Sequence, residues 1–280
     1  MGRVPLSCLK RFRAPSVRQP RQCDRRPLVI AHRGASGIVP ENTCRALAVA
    51  IDLGADMVEM DVQLSRDGCP VIFHDWNLAR AARSWRSRRS LKPLRVSDLS
   101  LKELKLLDVG SWKGDQFAGL TIPTLTQILS EAAGRIALNL EIKIRDVRGQ
   151  NERLRHEIVH QIGKALTLYS SPASVLISSF DRQVLELVRT VFPEGWVGVL
   201  PQPGGLVETF HLADRLSAFS VHLPCAEIRP ALVRSAQRSG LNVFAYTANT
   251  PQRLKRLVAA GVDGIFTNYP DQMVGILGHH

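Results

Sequence analysis

Residues 28–61 read LVIAHRGASGIVPENTCRALAVAIDLGADMVEMD. Leu28–His32 is a short apolar run with strand character, and Met57–Asp61 is another. Between them a polar stretch containing Gly34, Gly37 and Pro40 leads into Asn42–Leu53, whose apolar positions recur at helical spacing. That segment opens on Asn/Thr capping chemistry and stops before Gly54. Two strands joined through a helix of this length lie parallel, because a tight hairpin has no room for one.

The unit recurs along the chain. Further strands are expected at Ile136–Ile142, Ser174–Ser179, Trp196–Leu200, Ala218–His222, Asn242–Thr247 and Gly264–Thr267. Helices are expected at Thr124–Ala133, Glu152–Leu166, Arg182–Val191, Pro230–Ser239 and Pro251–Ala260, with Pro230 and Pro251 suited to first-turn positions. Eight strands alternating with helices over about 250 residues is the arithmetic of a (β/α)8 barrel. An open doubly wound sheet uses the same alternation. Such a sheet would favour a phosphate-binding GxGxxG after its first strand, whereas His32–Gly37 offers only Gly-x-x-Gly. Polar residues also fall at the ends of several strands, which favours the barrel.

One segment breaks the alternation. Cys69–His74 reads as a strand, yet it follows Met57–Leu64 too closely for a crossover helix, and Ser65-Arg66-Asp67-Gly68 is a turn signal. The expectation is an antiparallel hairpin hung on the second strand, with Ser65 opposite Pro70 and therefore Asp61 opposite His74. A small insertion, about Trp76–Ile122, then precedes the next barrel strand, with only Ser100–Leu107 helical.

On the second strand Glu59 and Asp61 share a face while Val58, Met60 and Val62 share the other. On the fourth segment Asn139, Glu141 and Lys143 alternate with Leu138, Leu140 and Ile142. Glu59, Asp61 and Glu141 would thus gather at the strand ends as an all-oxygen set suited to one divalent cation, Mg²⁺ or Ca²⁺. Paired carboxylates repel, so a cation between them explains their proximity. His32 and His74 can flank a phosphorus as an acid–base pair, with Arg33 and Lys143 on phosphoryl oxygens.

The 280 residues carry a net charge of +12, and residues 1–27 supply +7 of it. No apolar segment follows that leader, which argues against a secretory signal. It reads as a disordered basic tail, with an organellar transit leader as the alternative. Five scattered cysteines without a CxxC suggest free thiols and a cytoplasmic setting. The run Arg80, Arg83, Arg86, Arg88, Arg89, Lys92 and Arg95 contains no acid and offers a peripheral membrane contact. No nucleic acid partner is expected. His156 and His160 match HExxH, but they lie opposite the stripe formed by Leu154, Ile158, Ile162, Ala165 and Leu166, so they should face solvent.

The ordered motifs carry a resemblance. Ala31–Ser36, Pro40–Thr43, Gly54–Asp56, Glu59–Val62, Asp67-Gly68, His74-Asp75, Glu141–Lys143, Ser178–Phe180 and Gly261–Gly264 together resemble the glycerophosphodiester phosphodiesterase family, over roughly residues 28–275. The resemblance implies a TIM barrel that hydrolyses glycerophosphodiesters to glycerol 3-phosphate and an alcohol. It implies a Mg²⁺ or Ca²⁺ site at Glu59, Asp61 and Glu141, and His32 and His74 as the acid–base pair. It also implies phosphate contacts from Arg33 and Lys143, and a cyclic phosphate formed before water attacks. Tyr246 stands where the family commonly has tryptophan in the substrate pocket, and Asn268 where aspartate is common. A lysophospholipase D acting at a membrane surface is the alternative within the same chemistry.

Overall fold

The computed structural model describes residues 26–79, 94–145, 151–168 and 175–278. The leader up to residue 25, the basic residues Arg80 to Lys92, and His279 and His280 lie outside the described residues. No helix among the described residues is long and apolar enough to cross a membrane.

Among the described residues nine strands form one sheet: β1 (Leu28–His32), β2 (Met57–Leu64), β3 (Pro70–Ile72), β4 (Ala137–Ile142), β5 (Val175–Ser179), β6 (Trp196–Val199), β7 (Ser220–Pro224), β8 (Asn242–Tyr246) and β9 (Gly264–Thr267). Eight are parallel and close on themselves, because β1 pairs with both β2 and β9. The ninth, β3, is antiparallel to β2 and stands outside the ring. The chain is therefore a TIM barrel with a hairpin arm on its second strand.

Helices α1 (Cys44–Asp52), α3 (Leu125–Ala132), α4 (Asn151–Leu168), α5 (Arg182–Val191), α6 (Leu206–Arg215), α7 (Pro230–Arg238), α8 (Pro251–Ala260) and α9 (Pro270–Leu277) accompany the strands, and α2 (Leu101–Leu104) belongs to the insertion. Their starts follow the expected chemistry. Thr43 caps α1 by accepting from Ala46 N, and Thr124 and Gln127 form a reciprocal box on α3. Thr250 caps α8 ahead of Pro251. Gly261 ends that helix at φ 78°, a left-handed position that glycine adopts without a Cβ clash.

Strand parity divides the interior into two cores. Val29, Ala31, Val58, Met60, Leu138 and Leu140 face outward into the layer between strands and helices. Ile30, Met57, Leu176, Phe244 and Phe266 face inward and fill the barrel floor. His222 lies against that floor, fully buried between Phe244 and Phe266, with Nε2 2.9 Å from Ser220 Oγ. Its neighbour Gly198 has no room for a side chain, since a Cβ there would stand 2.6 Å from the imidazole Nε2.

Several expectations are corrected. The hairpin register is one residue away from the expected one: Leu64 faces Pro70 and Val62 faces Ile72, so Asp61 faces Phe73 and not His74. The cause is a three-residue turn, Arg66-Asp67-Gly68, closed by mutual Ser65–Cys69 contacts with Gly68 at φ 76°. The helix expected from Asn42 begins at Cys44, and the one expected over Ser100–Leu107 covers only Leu101–Leu104, with Ser100 as its cap. Strand β7 begins at Ser220 and runs on to Pro224, past His222. Helices α6 and α9 were not expected. His156 and His160 are exposed on α4, as their position opposite the buried stripe implies.

The described part of the insertion packs on the arm. Val71 and Phe73 share a small core with Val96, Leu104, Leu107 and Ile122, and Ile72 N donates to Pro123 O at 2.8 Å. The arm is thus held from both sides.

Burial pushes the His222 imidazole down to about 3, far below its ordinary 6.5. It is neutral in the folded chain and protonated in the unfolded chain between those values. Stability is therefore lost as pH falls from 6.5 towards 3. His222→Gln is expected to flatten that acid-side loss, which thermal unfolding followed from pH 7 to pH 4 would measure.

Candidate active site

The site lies at the carboxyl ends of β1, β2 and β4, and the strand register builds it. His32 is level with Glu59, and Asp61 is level with Glu141, so the inward-facing positions of three neighbouring strands meet. Oxygens of Glu59, Asp61 and Glu141 all lie within 4.8 Å of one another. Glu59 and Asp61 are buried, and Glu141 is nearly so.

Two cations hold this negative cluster. Lys143 Nζ is 3.2 Å from Glu141 Oε1 and 3.4 Å from Asp61 Oδ1, and it lies over the Trp76 ring at 5.6 Å. Arg33 donates to Glu41 Oε1 at 3.0 Å, and its Nε stands 3.4 Å from Asp61 Oδ2. The Arg33 backbone, at φ 57°, donates its N–H to Glu59 Oε2 at 2.8 Å.

The resulting pKa directions differ among the three acids. Burial raises Asp61, but Lys143 and Arg33 outweigh it and hold Asp61 below the usual carboxylate range. Burial and the Asp61 and Glu141 charges push Glu59 well up, and burial and Asp61 raise Glu141. Glu59 Oε1 is buried with no hydrogen-bond partner, in the same lumen as the unpartnered Asn139 Oδ1 and Ser178 Oγ. An orphaned carboxylate oxygen at the meeting point of three acids fits a divalent cation of the oxygen-preferring kind.

Both expected histidines reach this region. His32 Nδ1 is 2.8 Å from Asn268 Oδ1, and its Nε2 is 3.9 Å from Glu59 Oε2. Burial and the Arg33 guanidinium push His32 down to about 4, so the Glu59 contact is not an ion pair near neutrality. His74 Nδ1 is 3.0 Å from Asp75 Oδ1, and ligand atoms of His74, Asp75 and Glu41 lie within 4.8 Å of one another, on the side where Glu41 binds Arg33. Tyr246 is half-buried at the end of β8. Its ring meets Phe266 edge-on at 6.4 Å, and burial, together with the Glu141 charge, pushes its hydroxyl up to about 12.

Comparison with known proteins settles the family. Residues 32–272 match the model of the glycerophosphoryl diester phosphodiesterase family. The chain belongs to this family. A glycerophosphodiester phosphodiesterase of Caldanaerobacter subterraneus subsp. tengcongensis is 37% identical over 251 residues, covering 89% of this chain and 97% of the relative. Another, from Bacillus subtilis, is 32% identical over 260 residues, covering 88% and 85%. Among solved structures, an Oleispira antarctica phosphodiesterase in complex with the product sn-glycerol-3-phosphate superposes with a TM-score of 0.78 at 31% identity, covering 90% of this chain and 96% of that one. The family assignment makes this chain a phosphoric diester hydrolase.

Four side chains that bind these family positions escaped the sequence reading of roles. Asn42 was read as helix-capping chemistry. It takes a left-handed φ of 54°, donates to Asp61 Oδ2 at 2.8 Å and accepts from Asp61 N at 3.2 Å. Glu41 binds Arg33, Asn268 binds His32, and Gln63 binds the arm that carries His74. Glu41 and Asn42 stood inside a quoted motif, which was the available signal for them.

Removing one charge from the acidic cluster has a defined consequence. Glu59→Gln is expected to raise the unfolding midpoint of the metal-free enzyme, by roughly 2–4 °C for each kcal/mol of repulsion relieved. The same variant should lose the stabilisation that saturating Mg²⁺ gives the wild type, about 2.7 kcal/mol at a hundredfold excess over Kd. Thermal scans with and without Mg²⁺ measure both effects.

Proposed function

We propose that this enzyme hydrolyses glycerophosphodiesters to glycerol 3-phosphate and an alcohol, with one divalent cation, Mg²⁺ or Ca²⁺, held by Glu59, Asp61 and Glu141. The observation that carries the reading is the orphaned Glu59 Oε1 at the convergence of the three acids, with His32, Arg33 and Lys143 around them. The product-bound relative from Oleispira antarctica supports the substrate class. When bound, the cation would offset the carboxylate charge and polarise a phosphoryl oxygen.

The chain's own residues supply the rest. Arg33 and Lys143, already gathered at the acids, would hold the remaining phosphoryl oxygens. His32 and His74 form the acid–base pair: one takes the proton of the nucleophile and the other gives one to the leaving oxygen. In the first stage the glycerol hydroxyl attacks phosphorus, forming a cyclic phosphate and releasing the alcohol. In the second, water opens the ring while the two histidines exchange roles. Tyr246 would form part of the pocket wall at the end of β8.

Release of glycerol 3-phosphate from glycerophosphocholine, assayed with Mg²⁺ or Ca²⁺ and again with EDTA, tests the proposal. EDTA is expected to abolish turnover, and activity that survives it removes the cation from the reading. His32→Ala and His74→Ala are each expected to cost about 10²–10⁴-fold in kcat. Cleavage confined to lysophospholipids would select the lipid-directed form of the same chemistry.

A further inference from the structure

The corrected hairpin register raises a question of aim. If the β2–β3 ladder continued past Ile72, alternation would turn His74 to the same side as Ile72, into the outer core of the barrel. His74 instead offers a ring nitrogen within 4.8 Å of a Glu41 carboxylate oxygen, and Glu41 holds the Arg33 guanidinium at the site. Something must take the chain out of the ladder at this point.

Gln63 does this. It is two residues beyond Asp61 on β2 and buried. Its Nε2 donates to Phe73 O at 2.7 Å and to Asp75 O at 3.1 Å, with His74 O at 3.3 Å. Successive carbonyls of an extended strand point in alternating directions. Three in a row converging on one nitrogen is a tight curl, and it begins where the last ladder-like bond, Phe73 N to Asp61 O at 3.0 Å, ends. All three partners are acceptors, so the amide's orientation is fixed: the nitrogen must face the curl. The two hydrogens of that nitrogen thus set the backbone from which the His74 side chain projects.

We infer that Gln63 is a positioning residue for the reaction: it curls residues 73–75 so that His74 lies beside Glu41 and not in the outer core. The inference rests on the reading of His74 as an acid–base residue. The hydrogen bonds of the Gln63 nitrogen go to the backbone of residues 73–75 and not to the acids, Arg33 or Lys143, so it acts through the arm that carries His74.

Gln63→Met keeps length and bulk and removes both donors. With glycerophosphocholine and saturating Mg²⁺, kcat is expected to fall about 10–100-fold. KM and the Mg²⁺ affinity measured by calorimetry should stay within about twofold, since cation and phosphate ligands are untouched. A kcat within about twofold of wild type overturns the inference. So does a loss of Mg²⁺ affinity matching the loss of rate, because Gln63 would then support the acids and not His74. His74→Ala separates the two ideas: if it retains the wild-type rate the acid–base reading fails, and if it is inactive while Gln63→Met is normal the positioning role fails. Should Gln63→Met not fold, the wild-type enzyme decides. Its Gln63 side-chain amide protons should be protected from solvent exchange in NMR, and free exchange overturns the inference.

Discussion

Three carboxylates with oxygens within 4.8 Å of one another, out of water, repel strongly, and the structure around them is arranged to withstand that repulsion. The barrel supplies the proximity, because the register of β1, β2 and β4 puts His32, Glu59, Asp61 and Glu141 on neighbouring inward positions. Arg33 and Lys143 supply the compensation, and their charges hold Asp61 ionised while Glu59 is driven towards its neutral form. Removing a single partner of such a cluster would leave a buried charge without compensation, which costs several kcal/mol. That explains why Asn42 adopts a left-handed backbone conformation to reach Asp61 with both ends of its amide. Three carboxylate oxygens within 4.8 Å of one another could hold a cation, which is the role proposed for the cluster above.

The barrel was legible because its strands leave a strong trace. A parallel strand covered by helices outside and by a filled lumen inside is nearly all apolar, and runs such as Leu28–His32 and Asn242–Tyr246 stand out between helical segments with caps. The acids were legible for the opposite reason: Glu59, Asp61 and Glu141 interrupt such runs. Helix α6 left little trace because it opens after Gly204-Gly205 and buries only Thr209, Leu212 and Ala213, a stripe too thin and too polar to register. Helix α9 buries Pro270 and Met273 alone. The hairpin register depended on whether Gly68 closes a three- or a four-residue turn, a backbone choice that composition does not reveal. Asn42, Gln63 and Asn268 work through hydrogen bonds to residues distant in sequence, and no periodicity marks such bonds.

The hairpin arm shows how a small shift in register can be absorbed. Expected and observed pairings differ by one residue, yet the ladder stops at Ile72, a side chain takes over, and His74 comes to lie beside Glu41, the partner of Arg33. The insertion completes the support from the other side through Val71, Phe73 and Pro123. One histidine therefore stands on the barrel itself, at the end of β1, while the other stands on an appended arm. Only the first inherits the rigidity of the closed sheet.

The filled floor of the lumen has a consequence for traffic. Ile30, Met57, Leu176, Phe244 and Phe266 stop the barrel from below, with His222 lodged between Phe244 and Phe266. Nothing can pass through the ring from end to end. The diester, the water and both products must share one doorway, so departure of a product and arrival of the next substrate are events at the same opening and compete for it.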